Sequence, residues 1–498
     1  MSPRYSLAVD LGAESGRVML SHLVDDLLEL REIHRFPTGL FTRGRGLFWD
    51  IAAIEREILE GFRAVARLNV PIASISTDAW GVDCVLVDTE GRPVVEPRCY
   101  RDPRNAESMI RVLERISADE LYAETGVVPA AINTIFQIEA ERHENPALFA
   151  RANGFLMIAD YFNYRFSGVP VAEVSAVSTT QLYNPRTRDW SGKIISALGL
   201  HPSLFPQMVS SGTPLGPAQG VGAVGGELSS AVVVASCSHD TAAAIAAVPV
   251  GSDCSWAYLS SGTWSILGTE YNESCLIDEG LQAGFTHEVG LNGSGQILKN
   301  LVGLWIVQEC NRSWREAGKN YSYDDLVRMA EAEGPSQAHI NIEDPRFLSP
   351  GDMPRKMADF CRETDQPTPQ SPPQFVRVAL ESLALSYARV LSQLSALTGR
   401  RFDVLHLVGG GSQNNLLNQL TASAAGIPVL AGPSEATTAG NVLVQGIALG
   451  QVESAERLRA IVASSFRIRR FQPAGDFSAK ARMRFAGFFV ETPSGQFV

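Results

Sequence analysis

Between residues 404 and 450 the chain spells strand, glycine turn, helix, strand, helix, and few folds accept that order. Val404-Leu-His-Leu-Val408 is short and apolar, and Gly409-Gly-Gly-Ser-Gln-Asn414 follows it as a turn. Residues 415–425 have helical spacing, residues 427–431 read as a second strand, and residues 435–450 as a second helix. Strands joined through a helix run parallel, because the chain must cross back before it can pair again. A parallel sheet needs helices on its faces, so the expected class is α/β.

The beginning of the chain adds a second constraint. Residues 5–20 read as strand, tight turn, strand, with Gly12 and Gly16 in the turn. The same layout returns over residues 256–269, around Ser260-Ser-Gly-Thr263, roughly 250 residues later. The two stretches share layout and little identity. They suggest two similarly built halves, although two ordinary hairpins would look the same. Residues 51–68 have helical spacing, residues 72–77 and 84–88 read as strands, and residues 105–150 as mostly helix. A buried strand is expected at 231–235, with a helix starting just after Cys237. Residues 216–226 read as a Gly-rich connection, and residues 364–373 as a Pro-rich exposed loop.

Composition narrows the function classes. Of the 498 residues, 45% are hydrophobic and 19% charged, which is globular. Lys and Arg number 42 against 54 Asp and Glu, a net charge of -12. No basic cluster offsets that balance, which argues against nucleic acid or an anionic membrane as partner. The seven cysteines are odd in number and never spaced C-x-x-C. A zinc ribbon and a disulfide framework are therefore not expected. Residues 1–10 lack the charged-then-apolar pattern of a signal peptide. The longest apolar stretch, 231–251, has His239 and Asp240 at its centre. A charge at mid-bilayer costs at least ~2.5 kcal/mol, so the stretch reads as buried core with a functional interruption. A soluble cytoplasmic protein is expected.

Four turns carry candidate chemistry. In the turn from Asp10 to Arg17, backbone amides at Gly12 and Gly16 suit phosphate oxygens. Asp10 suits a hydrated divalent cation, and Arg17 can offset phosphate charge. A plain hairpin turn with a self-bonding Asp would use the same residues. In Ser238-His-Asp-Thr241, Asp240 is either a helix N-cap or a general base at a strand end. Ser260-Ser-Gly-Thr263 and Gly409-Gly-Gly-Ser-Gln-Asn414 suit polyphosphate and ribose, or are ordinary turns. Asp78, Asp83 and Asp102 read as hydroxyl acceptors or as turn and cap residues. Gly220-Val-Gly-Ala-Val-Gly225 matches G-x-G-x-x-G but lacks the strand before and helix after that a dinucleotide site needs.

Taken in order, these motifs carry a resemblance. Val9-Asp-Leu-Gly12, Ser76-Thr-Asp-Ala-Trp-Gly-Val-Asp83, Ser238-His-Asp-Thr241, Ser260-Ser-Gly-Thr-Trp264, Leu298-Lys-Asn-Leu-Val-Gly-Leu-Trp305 and the 409–414 turn together resemble the FGGY carbohydrate kinases. The resemblance runs from about residue 7 to about residue 450. It implies an actin-like, ribonuclease-H-like α/β fold of two lobes with a central cleft. Residues 1–246 would be the sugar-binding lobe and 247–498 the nucleotide-binding lobe. By motif, Asp240 would accept the proton, and Gly81, His239, Thr241 and Asn300 would contact the sugar. Ala13, Glu14, Ser15, Gly16, Arg17, Thr263, Gln308 and Gly410 would contact ATP, and Asp10 would sit near Mg2+. Where the family carries a small residue, this chain carries Glu14, which leaves a backbone contact as the expectation there. The Ser-His-Asp-Thr and Leu-Lys-Asn motifs imply L-rhamnulose as the acceptor, phosphorylated at C1, with L-fuculose and L-xylulose as alternatives. A monomer or homodimer is expected.

Overall fold

A strand buried on both faces needs a partner on each edge, and β1 (Tyr5–Leu11) has both. Six of its seven residues are buried. On one side it pairs antiparallel with β2 (Ser15–Val24), on the other parallel with β4 (Ile72–Ala79). The outer strands are β3 (Leu27–Pro37), which pairs with β2, and β6 (Val232–Ala235) with its antiparallel neighbour β5 (Thr213–Pro217). The order is β5-β6-β4-β1-β2-β3.

The structure is a computed structural model that describes residues 5–251, 254–271, 279–475 and 477–489. The described residues of 1–251, 270–297 and 436–465 form one compact unit, and those of 252–269, 298–435 and 466–498 a second. Two stretches from the second half of the chain thus join the first unit. For the Ala436–Ala448 helix the cause is close packing on the Asp240–Ala246 helix. A Cβ on Gly440 would stand 1.8 Å from the Ala243 carbonyl oxygen.

The second unit is built around a hairpin of β7 (Trp256–Ser261) and β8 (Trp264–Tyr271). It continues through β9 (Gly295–Val302) on one side and β10 (Val404–Val408), β11 (Val429–Ala431) and β12 (Arg469–Phe471) on the other. The sheet runs from the edge strand Thr286–Val289 through β9-β8-β7-β10-β11-β12, and the six strands after that edge repeat the order of the first sheet. In each, a hairpin is followed by two parallel strands and a closing antiparallel one. The hairpin likeness seen in the sequence is therefore a likeness of whole sheets.

Helix Ile51–Ala66 shows how local sequence places one layer. Asp50 caps it by accepting from the Ala53 N–H at 2.8 Å. Ile51, Ile54, Ile58, Phe62 and Val65 form its buried stripe. The Gly220–Gly225 string lies largely in a 3-10 turn, Gln219–Val224. A Cβ on Gly220 would stand 1.9 Å from the Arg165 carbonyl oxygen, so packing explains that glycine. The loop expected over 364–373 is only partly one. A 27-residue helix, Pro372–Thr398, begins inside it. Gln366 is buried, with its amide bridging the backbone N–H and carbonyl of His339. Among the described residues no helix is long and apolar enough to cross a membrane. Six cysteines are free thiols. Cys275, and residues 1–4 of the expected leaderless start, lie outside the described residues.

The loop after β4 is held in an unusual conformation. Val82 has φ +67°, where a β-branched residue is strained. Its N–H donates to Thr179 Oγ1 at 3.0 Å, and Thr134 and Gln137 both donate to its carbonyl. Next to it, Asp83 Oδ2 accepts the indole N–H of Trp49 at 2.6 Å and of Trp80 at 2.9 Å. Asp83 is therefore a structural acceptor. Asp102 is another, taking the Leu47 and Arg104 backbone N–H groups.

Burial pushes the Asp83 carboxyl up to about 7, against the two indole bonds that pull it down. An unfolded Asp ionises near ~3.9. As pH rises from there to about 7, the unfolded chain releases a proton that the folded chain keeps, so stability falls across that window. Asp83→Asn can still accept from both indoles and carries no charge. Its melting temperature should gain on wild type by several degrees between pH 4 and 7 and hold that gain above, as read by calorimetry across pH.

Candidate active site

In a parallel sheet, ligands meet the carboxyl ends of the strands. The first unit gathers its ionisable residues there. Asp10 in β1 and Asp78 in β4 are register partners. The turn after β6 joins them, since the Ala79 N–H donates to the Ser238 carbonyl at 2.9 Å. The Asp10 and Asp240 carboxylates are close enough to act on Asp78: burial, then the Asp10 charge, hold Asp78 well above the usual carboxylate range.

Asp10 Oδ2 accepts from Arg17 at 2.5 Å and from Thr438 Oγ1 at 3.0 Å. Arg17, expected at phosphate, is thus paired with the residue expected near the metal. Asp78 is fully buried; its Oδ2 accepts from Asn441 Nδ2 at 2.5 Å, and its Oδ1 has no hydrogen-bond partner among the described residues.

Asp240 is the first residue of its helix, and His239 occupies the cap position without a side-chain cap bond. The N-cap reading of Asp240 is therefore set aside. Its side chain keeps 31% exposure, with Oδ1 accepting from Thr241 Oγ1 at 3.2 Å and lying 3.1 Å from His239 Nδ1. Burial favours a neutral His239, yet the Asp240 and Glu288 carboxylates hold its pKa well above the usual histidine range. A Cβ on Gly81 would lie 3.2 Å from His239 Cε1 and 3.1 Å from Thr179 Cγ2, so glycine there keeps the ring's surroundings open.

Two buried carboxylates fix this turn from beneath. Glu173 Oε2 accepts the backbone N–H groups of Ser238 and Ser175, both at 3.0 Å. Asp160 Oδ1 accepts from Ser238 Oγ at 2.9 Å. Ser175 Oγ takes the His239 N–H at 3.1 Å. Burial raises the pKa of both acids.

In the turn of Ala13, Glu14, Ser15, Gly16 and Arg17, Glu14 is exposed and Gly16 buried. A Cβ on Gly16 would stand 2.5 Å from the Phe36 ring, which accounts for that glycine by packing.

The second unit gathers a different set. Its hairpin turn is latched by backbone: the Gly303 and Trp305 N–H groups donate to the Thr263 carbonyl, and that of Leu304 to Gly262. This joins Thr263 to the start of the Trp305–Glu316 helix, which carries Gln308 on its exposed side. Gly409 and Gly411 pack onto Ser261, where added Cβ atoms would lie 3.0 Å and 2.1 Å from its atoms. Gly410, between them, faces open space. Thr263, Gln308 and Gly410 therefore surround one turn. Asn300, exposed in β9, belongs to this unit, whereas Gly81, His239, Asp240 and Thr241 belong to the first.

Sequence reasoning missed Thr438, Asn441, Glu288 and the Glu173–Asp160 pair. Thr438, Asn441 and Gln445 left a signal, as polar residues three and four apart in an otherwise apolar segment. Glu288, in a four-residue strand, left none.

Residues 5–247 match the FGGY family of carbohydrate kinases, N-terminal domain, and residues 257–449 match its C-terminal domain. A rhamnulokinase of Enterococcus faecalis is 40% identical over 97% of both chains. One of Bacteroides thetaiotaomicron is 38% identical over 94% of this chain and 95% of its own. Among solved structures, a ligand-bound xylulose kinase from Lactobacillus acidophilus superposes with a TM-score of 0.79 at 14% identity, covering 97% of each chain. Plasmodium falciparum glycerol kinase with ADP gives 0.73 at 14% identity over 97% of this chain and 96% of that one. The expected actin-like α/β sugar kinase fold is thus the fold found, and the chain belongs to the FGGY family of carbohydrate kinases.

Proposed function

We propose that this protein transfers the γ-phosphoryl group of ATP to the C1 hydroxyl of L-rhamnulose, giving L-rhamnulose 1-phosphate and ADP. The observation that carries the chemistry is Asp240: a part-exposed carboxylate at a strand end, free of any capping duty. The choice of sugar is supported by four relatives named rhamnulokinase, 36% to 40% identical over nearly the full length. A cytoplasmic setting, where ATP is supplied, follows from that chemistry.

Asp240 accepts the hydroxyl proton as the sugar oxygen attacks the γ-phosphorus in line and the bond to the ADP oxygen breaks. Gly81, His239, Thr241 and Asn300 hold the sugar. The turn from Ala13 to Arg17, with Thr263, Gln308 and Gly410, holds the nucleotide. Most of the acceleration comes from positioning and charge stabilisation.

The residues around Asp10 fit a hydrated Mg2+. Two neighbouring carboxylates stand at the strand ends, and Asp78 Oδ1 is buried without a partner among the described residues. Mg2+ is commonly held by one or two carboxylates, several waters and substrate phosphates. Bound there, the ion would neutralise polyphosphate charge.

Three outcomes test the proposal. In a coupled ADP-release assay, kcat/KM should be highest for L-rhamnulose. A misplaced hydroxyl, as in L-fuculose, should be rejected strongly, while a missing methyl should lose only ~1–3 kcal/mol. A higher kcat/KM for L-fuculose or glycerol would overturn the choice of sugar. Asp240→Asn should melt like wild type, still bind ATP–Mg2+, and turn over roughly 10²–10⁴-fold more slowly. Near wild-type turnover would remove Asp240 from the mechanism. Gly410→Ala places its methyl in open space, so the melting temperature should hold while the KM for ATP rises about tenfold, the loss of one charge-assisted contact. An unchanged KM would detach Gly410 from the nucleotide.

A further inference from the structure

His239 is a buried ring held between two carboxylates, and only one of them has a place in the chemistry so far. The His239 side chain is 10% exposed and that of Glu288 9%. Nδ1 stands 3.1 Å from Asp240 Oδ1, off the line of a hydrogen bond, so that contact is ionic. Nε2 stands 3.5 Å from Glu288 Oε2. Glu288 belongs to the strand Thr286–Val289, which also reaches the support of the turn, because the Val289 N–H donates to Ser178 Oγ at 3.0 Å.

We propose that Glu288 is a positioning residue for phosphoryl transfer: it anchors the His239 ring through Nε2 and so fixes Nδ1, and the charge of the ring, against the Asp240 carboxylate. The proposal rests on the reading of Asp240 as the base. An Nδ1–H that is off the line to Asp240 is left to donate to a sugar hydroxyl while it stays in the carboxylate's field. While Nε2 keeps its proton toward the Glu288 carboxylate, the ring can offer a proton on Nδ1 only when it is doubly protonated.

The charged groups facing the ring are all carboxylates. Asp240 comes from its own turn and Glu288 from the neighbouring strand; Asp78, at the end of β4, lies beyond Asp240, whose charge acts on it. Thr179 and Gly81, on the loop side, and Ser175, at the backbone, are uncharged. Each carboxylate favours the protonated ring, so removing Glu288 can only move the ring's titration to lower pH.

The test is Glu288→Gln, which keeps the volume and drops the charge. The His239 ring is followed by NMR in the full-length protein labelled with 13C-histidine, without sugar, its signal assigned as the one lost in His239→Asn. The midpoint should fall by about one pH unit or more in Glu288→Gln. In the same variant the sugar KM should rise about fivefold between pH 6.5 and 8.5, where wild type stays flat, with kcat at pH 6.5 within about twofold. Glu288→Asp should give an intermediate midpoint. An unmoved midpoint in Glu288→Gln overturns the anchor. So does a KM raised equally at every pH, which would mean that Glu288 touches the sugar directly. If Glu288→Gln does not fold, Glu288→Asp decides, and a wild-type midpoint there overturns the anchor as well. Turnover retained in Asp240→Asn would defeat the base alone, and the substrate-free midpoint would still decide whether Glu288 holds the ring.

Discussion

A carboxylate taken out of water must find donors inside the protein, and at the strand ends of the first unit one helix face supplies them. Thr438 donates to Asp10, Asn441 to Asp78, and Gln445 to the Leu7 carbonyl and to Asn441 Oδ1. The three residues lie three and four apart, so they share one face of the Ala436–Ala448 helix. Leaving a buried acceptor without its donor costs ~1–3 kcal/mol, and more where the acceptor is charged, which exceeds what a surface contact on the helix contributes. The helix therefore belongs with β1 and β4, although more than 350 residues of chain separate Asn441 from Asp78. Its small face completes the attachment through Gly440, where no side chain fits against Ala243.

The same demand organises the turn that carries Asp240, with the roles of backbone and side chain exchanged. There the carboxylates lie beneath, in Glu173 and Asp160, and the donors are the amides and hydroxyls of Ser175, Ser211 and Ser238. Holding a turn by its own backbone amides fixes its path and leaves its side chains unspent. Asp240 keeps its exposure because Ser238 and His239 are already secured from below. A reacting group needs support of this kind, since a displacement of about 1 Å can remove a hundredfold in rate.

What the sequence disclosed follows from the same physics. Apolar runs marked the inner strands β1, β6, β7, β10 and β11, because burial on two faces leaves an unbroken pattern, whereas the outer strands β3, β5, β9 and β12 were not legible. The Pro372–Thr398 helix was not legible, and its first two residues read as loop. It is buried on most sides from Val376 to Leu391, so it shows no single stripe, although its leading prolines suit a helix start. The roles of the aspartates were open for a different reason. Asp83 and Asp78 lie five residues apart and look alike, yet one meets two indoles and the other an amide and two more carboxylates. Only the fold decides what a buried Asp faces. Glu288 gave no signal because its partner, His239, is far away in sequence and near only in space.

The glycines separate by cause in a way that composition cannot. Gly16 is required by the Phe36 ring, Gly220 by the Arg165 carbonyl, and Gly440 by the Ala243 backbone. Gly409 combines φ +81° with a close approach to Ser261, and Gly411 lies closer still. In each case the protein itself fills the space that a Cβ would need. Gly410 has ordinary φ and nothing within 4 Å of an added Cβ, so neither strain nor packing in the protein accounts for it. Its neighbours hold it rigidly against the hairpin turn that carries Thr263, with its face left open. A backbone fixed on both sides and bare in the middle is the form in which a loop can approach a phosphate or a ribose closely. The 409–411 turn thus divides its work: the outer two glycines build the loop, and the central one leaves room.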